Sequence, residues 1–277
     1  MSSNDLGDYN AAFGTNTLYT NTKGIENTAT GYGALFSNQT GNDNSAFGKY
    51  ALYTNTTGNY NTGLGFNSLF FNTIGAYNTA TGATALQNNI SGSYNTASGN
   101  NALYTNNSGA YNTATCNYAL YSNTSDYNAG VGHYALYSNT SGKFNTPIGM
   151  QTMESNTTES QNSVIGAFAN IVGNVSNANA IGANATAALS NTIQLGNIDV
   201  TAVNIYGNLF VKGGKGIIRS IDGTQQKKIT VVVPAHATIS KGQAASFNFF
   251  FRKALAAIRM YRQEILSPHP DITLKAS

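Results

Sequence analysis

Charge is the first thing this chain is short of. Only 9% of its 277 residues are charged, against about 25% in ordinary globular domains, so solubility has to rest on Asn, Thr and Ser. Tryptophan is absent and cysteine occurs once, as Cys116. A single thiol excludes an intrachain disulfide and leaves the redox compartment unconstrained, and Cys116 reads as a tolerated small residue. The opening residues, Met1 to Gly7, have no basic stretch followed by an apolar run, so no secretory leader is expected. No apolar run is long enough to cross a bilayer, and no membrane insertion is expected.

Chemistry-bearing residues are equally sparse. The histidines are His133, His236 and His269, and the carboxylates lie too far apart for a glycosidase pair or a calcium-loop series. Glycine-rich matches to nucleotide-binding patterns are products of a repeat, and no zinc spacing is found. The expectation is a protein that is not an enzyme and has neither cofactor nor metal. Low charge does not imply disorder here, because 41% of the chain is hydrophobic and its Tyr and Phe recur periodically.

What is present is a 17-residue repeat, of which Asn27-Thr28-Ala29-Thr30-Gly31-Tyr32-Gly33-Ala34-Leu35-Phe36-Ser37-Asn38-Gln39-Thr40-Gly41 is the clearest copy. Its first Asn recurs as Asn10, Asn27, Asn44, Asn61, Asn78, Asn95, Asn112, Asn128, Asn145 and Asn162, with one step shortened near Asp126. Ten stacked coils are implied, since no unit is large enough to bury a core alone. Four residues after each anchor stands glycine (Gly14, Gly31, Gly48, Gly65, Gly82, Gly99, Gly132, Gly149, Gly166), broken only by Cys116. Eight residues after it stands an apolar column: Leu18, Leu35, Leu52, Leu69, Leu86, Leu103, Leu120, Leu136, then Met153. A second Asn column runs Asn21, Asn38, Asn55, Asn72, Asn89, Asn106, Asn123, Asn139 and Asn156, and amides stacked about 4.8 Å apart can hydrogen-bond from coil to coil. Seven of its members sit in Asn-x-Ser/Thr sequons, which any chain this rich in Asn and Thr produces.

Poor helix formers and the lack of a 3.6-residue apolar period predict strands. Each unit divides into a run from just before the anchor to the glycine and a second Ala-Leu-Tyr-x-Asn run, with turns at Gly24, Gly41, Gly58, Gly75, Gly92, Gly109 and Gly142. Two strands per coil predict a flattened β-solenoid, about 50 Å long for ten coils. Alternation in the second strand places Ala51 and Tyr53 on one face and Leu52 on the other. One face fills the coil, and the other is expected to meet an identical chain, which predicts a homo-oligomer about the rod axis. The alternative leaves the tyrosines (Tyr19, Tyr53, Tyr104, Tyr121, Tyr137) flat on a solvated surface.

The motif Asn-Thr-Ala-x-Gly-x-x-Ala-Leu-x-x-Asn-Thr-x-Gly resembles the head repeats of trimeric autotransporter adhesins (YadA-like heads) and related repeats in phage and large-virus fibres, over residues 8 to about 200. Asn179-Ala180-Ile181-Gly182 and Gln194-Leu195-Gly196, with glycines 14 residues apart, are similar to the shorter adhesin-head repeat. The resemblance implies a left-handed parallel β-roll, a homotrimer, and a role as a stiff stalk or adhesive head. The chain departs from it in the length of its repeat and in Cys116, and no autotransporter export signal or membrane barrel is expected from this sequence.

The expected layout is a tail (1–7), the 17-residue repeats (8–177), shorter repeats with neck strands over 198–206 and 207–211 (178–211), and a module over 212–277. Residues 1–211 hold 3 Lys or Arg and 8 Asp or Glu, whereas residues 212–277 hold 11 and 3, so the C-terminal module is basic. A helix over 252–266 with Leu255, Ile258, Tyr261 and Ile265 on one face is read as packing on a small sheet, with no nucleic-acid partner.

The expected function is a structural fibre or spike of a virus or phage. In that role the chain is a rigid spacer presenting or anchoring its terminal module on a virion, among other particle subunits, with a host glycan or protein as receptor. The alternatives are an excised bacterial adhesin head at a cell surface and an ice- or surface-binding solenoid. For the latter, Thr28/Thr30, Thr79/Thr81 and Thr113/Thr115 make Thr-x-Thr pairs, but Phe13, Phe47, Leu64, Val131, Ile148 and Ile165 interrupt the row.

Overall fold

The structure, a computed structural model, describes residues 7–200. Each repeat contributes one three-residue strand directly after its anchor Asn. These are β1 (Ala11–Phe13), β2 (Thr28–Thr30), β3 (Ser45–Phe47), β4 (Thr62–Leu64), β5 (Thr79–Thr81), β6 (Thr96–Ser98), β7 (Thr113–Thr115), β8 (Ala129–Val131), β9 (Thr146–Ile148) and β10 (Ser163–Ile165). The chain continues through β11 (Asn170–Ile171), β12 (Ala178–Ile181), β13 (Thr186–Ala187) and β14 (Thr192–Leu195). All described elements are strands. β1 to β10 stack in sequence order with β12 and β14 into one 12-stranded sheet, parallel throughout, each strand lying on its equivalent in the next coil. The result is a parallel β-solenoid of about eleven turns.

The second run is not a strand in the 17-residue coils, which corrects the two-strand reading. Leu35, Leu52, Leu69, Leu86 and Leu103 all have φ between 50° and 52°, and the segment around them is a tight turn. Coil-to-coil hydrogen bonds still run through it, with Leu35 N donating to Ala51 O (3.0 Å) and Leu52 N to Ser68 O (2.9 Å). A left-handed residue reverses the chain path, so the alternation of extended backbone does not apply. Ala51 and Leu52 consequently both point inward and are fully buried, and the leucine column fills the coil's own core rather than facing a partner. Only where the coils shorten, with β10 to β12 offset by 16 residues and β12 to β14 by 14, does a second sheet form, between β11 and β13. β12 and β14 belong to the shorter repeats expected over 178–211. Ile198 and Asp199 form a turn rather than the start of a neck strand. The remaining neck, the basic module and its helix lie outside the described residues.

The core is narrow. In the strands the middle residue points in (Ala29, Ala46, Ala80, Ala97, Ala114) and meets Ala34, Leu35 and their equivalents, all fully buried. The anchor Asn and the second Asn of each coil also point in, and one carbonyl holds both: Asn27 Nδ2 and Asn38 Nδ2 donate to Gly41 O at 2.8 and 2.9 Å. Each amide also reaches the previous coil, Asn27 Nδ2 to Asn10 Oδ1 (3.1 Å) and Asn38 Nδ2 to Asn21 Oδ1 (2.8 Å). These clasps close each coil and satisfy the amides that would otherwise be buried at a cost of about 1–3 kcal/mol each. A Cβ at Gly41 would run into Asn38 Oδ1 and the Gly58 carbonyl, so this glycine column is required for close approach.

The ladder breaks at the shortened coil. There Asn123 Nδ2 keeps its bond to the turn carbonyl, Ser125 O (2.8 Å), but makes none to the preceding amide, which leaves the buried Asn106 Oδ1 without a hydrogen-bond partner. At the same place Asp126 accepts from Ala110 N (3.0 Å) and pairs with Lys143 at 2.7 Å. The Lys143 ammonium holds the Asp126 carboxyl below its ordinary range.

Cys116 occupies the glycine column with φ 95°, where Gly99 and Gly132 have 142° and 136°. A side chain in this region is strained by about 1–3 kcal/mol, partly offset by the greater unfolded-state entropy of glycine. Cys116→Gly is therefore expected to raise stability by about 1 kcal/mol, read as a higher thermal midpoint. A lower midpoint would mean that the thiol makes a contact worth more than the strain.

Candidate functional site

Because the middle residue of each strand points inward, the residues on either side point out, and the large sheet shows one solvent-facing surface with two columns. The first holds Thr28, Ser45, Thr62, Thr79, Thr96, Thr113 and Thr146. The second holds Phe13, Thr30, Phe47, Leu64, Thr81, Ser98, Thr115, Val131, Ile148, Ile165, Ile181 and Leu195. Leu64, Ile148 and Ile165 are 47%, 40% and 43% exposed. The second column is thus apolar near both ends and hydroxylic in its middle, where three consecutive coils pair Thr79 with Thr81, Thr96 with Ser98, and Thr113 with Thr115.

Aromatic columns occupy other parts of the surface. Directly before the anchor Asn, Tyr60, Tyr77, Tyr94, Tyr111, Tyr127 and Phe144 form one uninterrupted stack. The column one residue past the buried leucine stacks in two pieces, Tyr19, Phe36, Tyr53 and Phe70, then Tyr104, Tyr121 and Tyr137, with Gln87 standing between them. Tyr50, Tyr118 and Tyr134 pack beside those rings, and the exposed His133 sits edge-on to Tyr134 at 4.2 Å.

Charged side chains come together in pairs at two places among the described residues. Glu26 lies next to Asp43, and their shared hydrogen bond followed by mutual repulsion raises the Glu26 pKa above the usual carboxylate range. The Asp43 carboxylate also raises that of Tyr60. The second place is the Asp126–Lys143 pair. Residues 50–125 between them contain no Asp, Glu, Lys, Arg or His. Among the described residues no three His, Cys, Asp or Glu side chains come together as a metal site would need.

The chain matches no protein family model, no curated protein and no solved structure. Its surfaces therefore have to be read from their own chemistry. The anchor amides Asn27, Asn44, Asn61, Asn78 and Asn95 and the leucines Leu35, Leu52, Leu69, Leu86 and Leu103 are fully buried. Gly31, Gly48, Gly65 and Gly82 have φ between 121° and 140° and lie against the backbone of the next coil. These columns build the scaffold and present nothing to a ligand. The seven sequon asparagines are buried too, and each donates its amide to a ladder or a turn carbonyl, so none offers an accessible glycosylation nitrogen in the folded coil.

Two surface features escaped the sequence reading. The exposed apolar column was visible only as interruptions of a threonine row. The stack before the anchor was missed altogether, although a tyrosine in that position in five successive coils, Tyr60 to Tyr127, is a signal on the page.

Proposed function

We propose that the chain is a structural rod of a viral or phage fibre, assembled as a homotrimer of left-handed β-rolls and serving as a rigid spacer for attachment or for presentation of its terminal module. The observation that carries this reading is the exposed apolar column of the large sheet, with Phe47, Leu64, Val131, Ile148, Ile165, Ile181 and Leu195 each 39% exposed or more. Five successive outward apolar residues, Val131, Ile148, Ile165, Ile181 and Leu195, with Phe47 and Leu64 nearer the other end, are atypical of a surface meant for water, and identical chains set side by side about the rod axis would cover them. The threefold number and the handedness follow from the resemblance to adhesin-head repeats. The leucine ladder no longer supports assembly, because it is spent inside the coil; the sheet face takes its place.

The test is native mass by light scattering, with a gel run without boiling. Assembly predicts a species near three times the 29.1 kDa chain. Leu64→Lys with Ile148→Lys is expected to convert it to monomer with its circular dichroism unchanged, since both side chains are exposed and only a partner would be lost. A 29.1 kDa monomer from the unaltered chain overturns the fibre reading. The paired hydroxyls of β5, β6 and β7 favour a second reading, a flat ice- or surface-binding face, and a monomer that adsorbs to ice would select it.

A further inference from the structure

We propose that the stack Tyr60, Tyr77, Tyr94, Tyr111, Tyr127 and Phe144 is a binding surface for a neutral linear polysaccharide lying along the rod axis. This deepens the attachment part of the fibre reading, and it does not depend on the number of chains in the rod.

The stack is periodic and preformed. Successive ring centroids are 4.9–5.1 Å apart and the rings are within 11° of parallel. Ring planes in van der Waals contact need only about 3.5–4.0 Å, so the rings are slipped over one another like roof tiles. Each consequently shows solvent a strip of its face as well as its hydroxyl-bearing edge, and each is between 46% and 53% exposed. Every residue of the stack has φ between 56° and 61° and is held by the coil before any ligand arrives, so little side-chain entropy remains to be lost on binding.

The chemistry around the stack selects the ligand. Residues 50–125, which span most of it, carry no ionisable Asp, Glu, Lys, Arg or His. Charge reaches the stack only at its ends, with Asp43 beside Tyr60 and the mutually paired Asp126 and Lys143 next to Tyr127 and Phe144, so along Tyr77, Tyr94 and Tyr111 a phosphate, sulfate or uronate polymer would find no cation and a basic polymer no carboxylate. Two residues beyond each of four of the rings, past an inward-pointing anchor Asn, a strand hydroxyl faces solvent at Thr62, Thr79, Thr96 and Thr113. A row of ring strips beside a row of hydroxyls matches sugar rings, whose C–H faces pack on aromatics and whose hydroxyls both donate and accept. A surface that repeats over six coils suits a ligand that repeats, because many weak contacts add along one chain.

The experiment uses the full chain in native gels cast with neutral polysaccharides (hydroxyethyl cellulose, a β-1,3-glucan, a galactomannan and dextran) or with heparin. Tyrosine fluorescence is followed in parallel, and with no Trp in the chain it reports the tyrosines directly. At least one neutral polymer is expected to retard the protein, equally at low and high salt, and to perturb the emission. The test variant is Tyr77→Asn with Tyr94→Asn and Tyr111→Asn. Asn177 and Asn191 already hold this position in the shorter coils, with φ 54° and 60°, so the backbone tolerates the change. Retardation is expected to weaken by about tenfold or more with the native mass unaltered. The proposal is overturned if no neutral polymer retards the protein, if only heparin does and salt abolishes it, or if the Asn variant binds as before. A change of native mass in that variant would equally overturn it, assigning the stack to contact between copies. A monomeric but polysaccharide-binding chain would sink the trimer alone.

Discussion

Gly82→Ala is expected to unfold the middle of the solenoid while leaving its ends folded. Gly82 has φ 130°, and an added Cβ would lie 2.6 Å from the Gly99 carbonyl oxygen, 2.7 Å from its carbon and 3.1 Å from Asn100 N. All three atoms are backbone of the next coil, so no side chain can swing aside. The coils cannot separate either, because Gly82 N donates to Leu64 O and Gly99 N to Thr81 O, both at 2.8 Å. Conformational strain of about 1–3 kcal/mol and overpacking of about 1–3 kcal/mol fall on one residue. Coils couple only to their neighbours, so the loss is local: hydrogen exchange should show protection disappearing around β4 to β6 and persisting near β1 and β9. Unchanged exchange and an unchanged thermal midpoint would mean that the coils are not held at this spacing.

Asn78→Ala is expected to be comparably severe for the opposite reason, since it removes atoms. Asn78 Oδ1 accepts from Asn95 N and Asn95 Nδ2 at 3.0 and 3.1 Å, while its own Nδ2 donates to Asn61 Oδ1 (3.1 Å) and Gly92 O (2.8 Å). The residue is fully buried, so no bulk water replaces these bonds. Asn95 N loses its acceptor and its side chain a partner, at about 1–3 kcal/mol for each unsatisfied group, giving about 2–6 kcal/mol in all. Thermal or denaturant unfolding checks it. A loss below about 1 kcal/mol would show that the amide ladder contributes little beyond what the backbone bonds already supply.

The columns separate what was legible from what was not. The anchor amides, the second Asn column and the glycine column announced themselves by their period, and each occupies the stacked position that period implies. The leucine column was found but placed on the wrong backbone. Leu is no left-handed residue by propensity, and an Ala-Leu-Tyr run reads as extended. Its composition nevertheless held a clue: the column contains Leu and Met and never Val or Ile. Branching at Cβ is tolerated in a strand and strongly disfavoured at positive φ. The outward column of the true strand, by contrast, freely uses Val131, Ile148, Ile165 and Ile181.

The same error moved the candidate interface. With the leucines turned inward, the surface available to another chain passed from the second run to the large sheet, and the tyrosines before the anchor emerged as a stack in their own right. Coil length behaved similarly. The missing residue near Asp126 was plain in the sequence, but not its consequence, an unpartnered amide oxygen at Asn106 beside the Asp126–Lys143 pair.

The sequence by itself determined that the repeat region is a stack of coils, which residues repeat, and that its polar groups are mostly neutral. A repeat writes its period directly into the chain, and composition needs no coordinates. Only the tertiary structure decided which way each column faces. Direction depends on φ at a few residues per coil, and a single left-handed leucine turns the next side chains from one side of the backbone to the other.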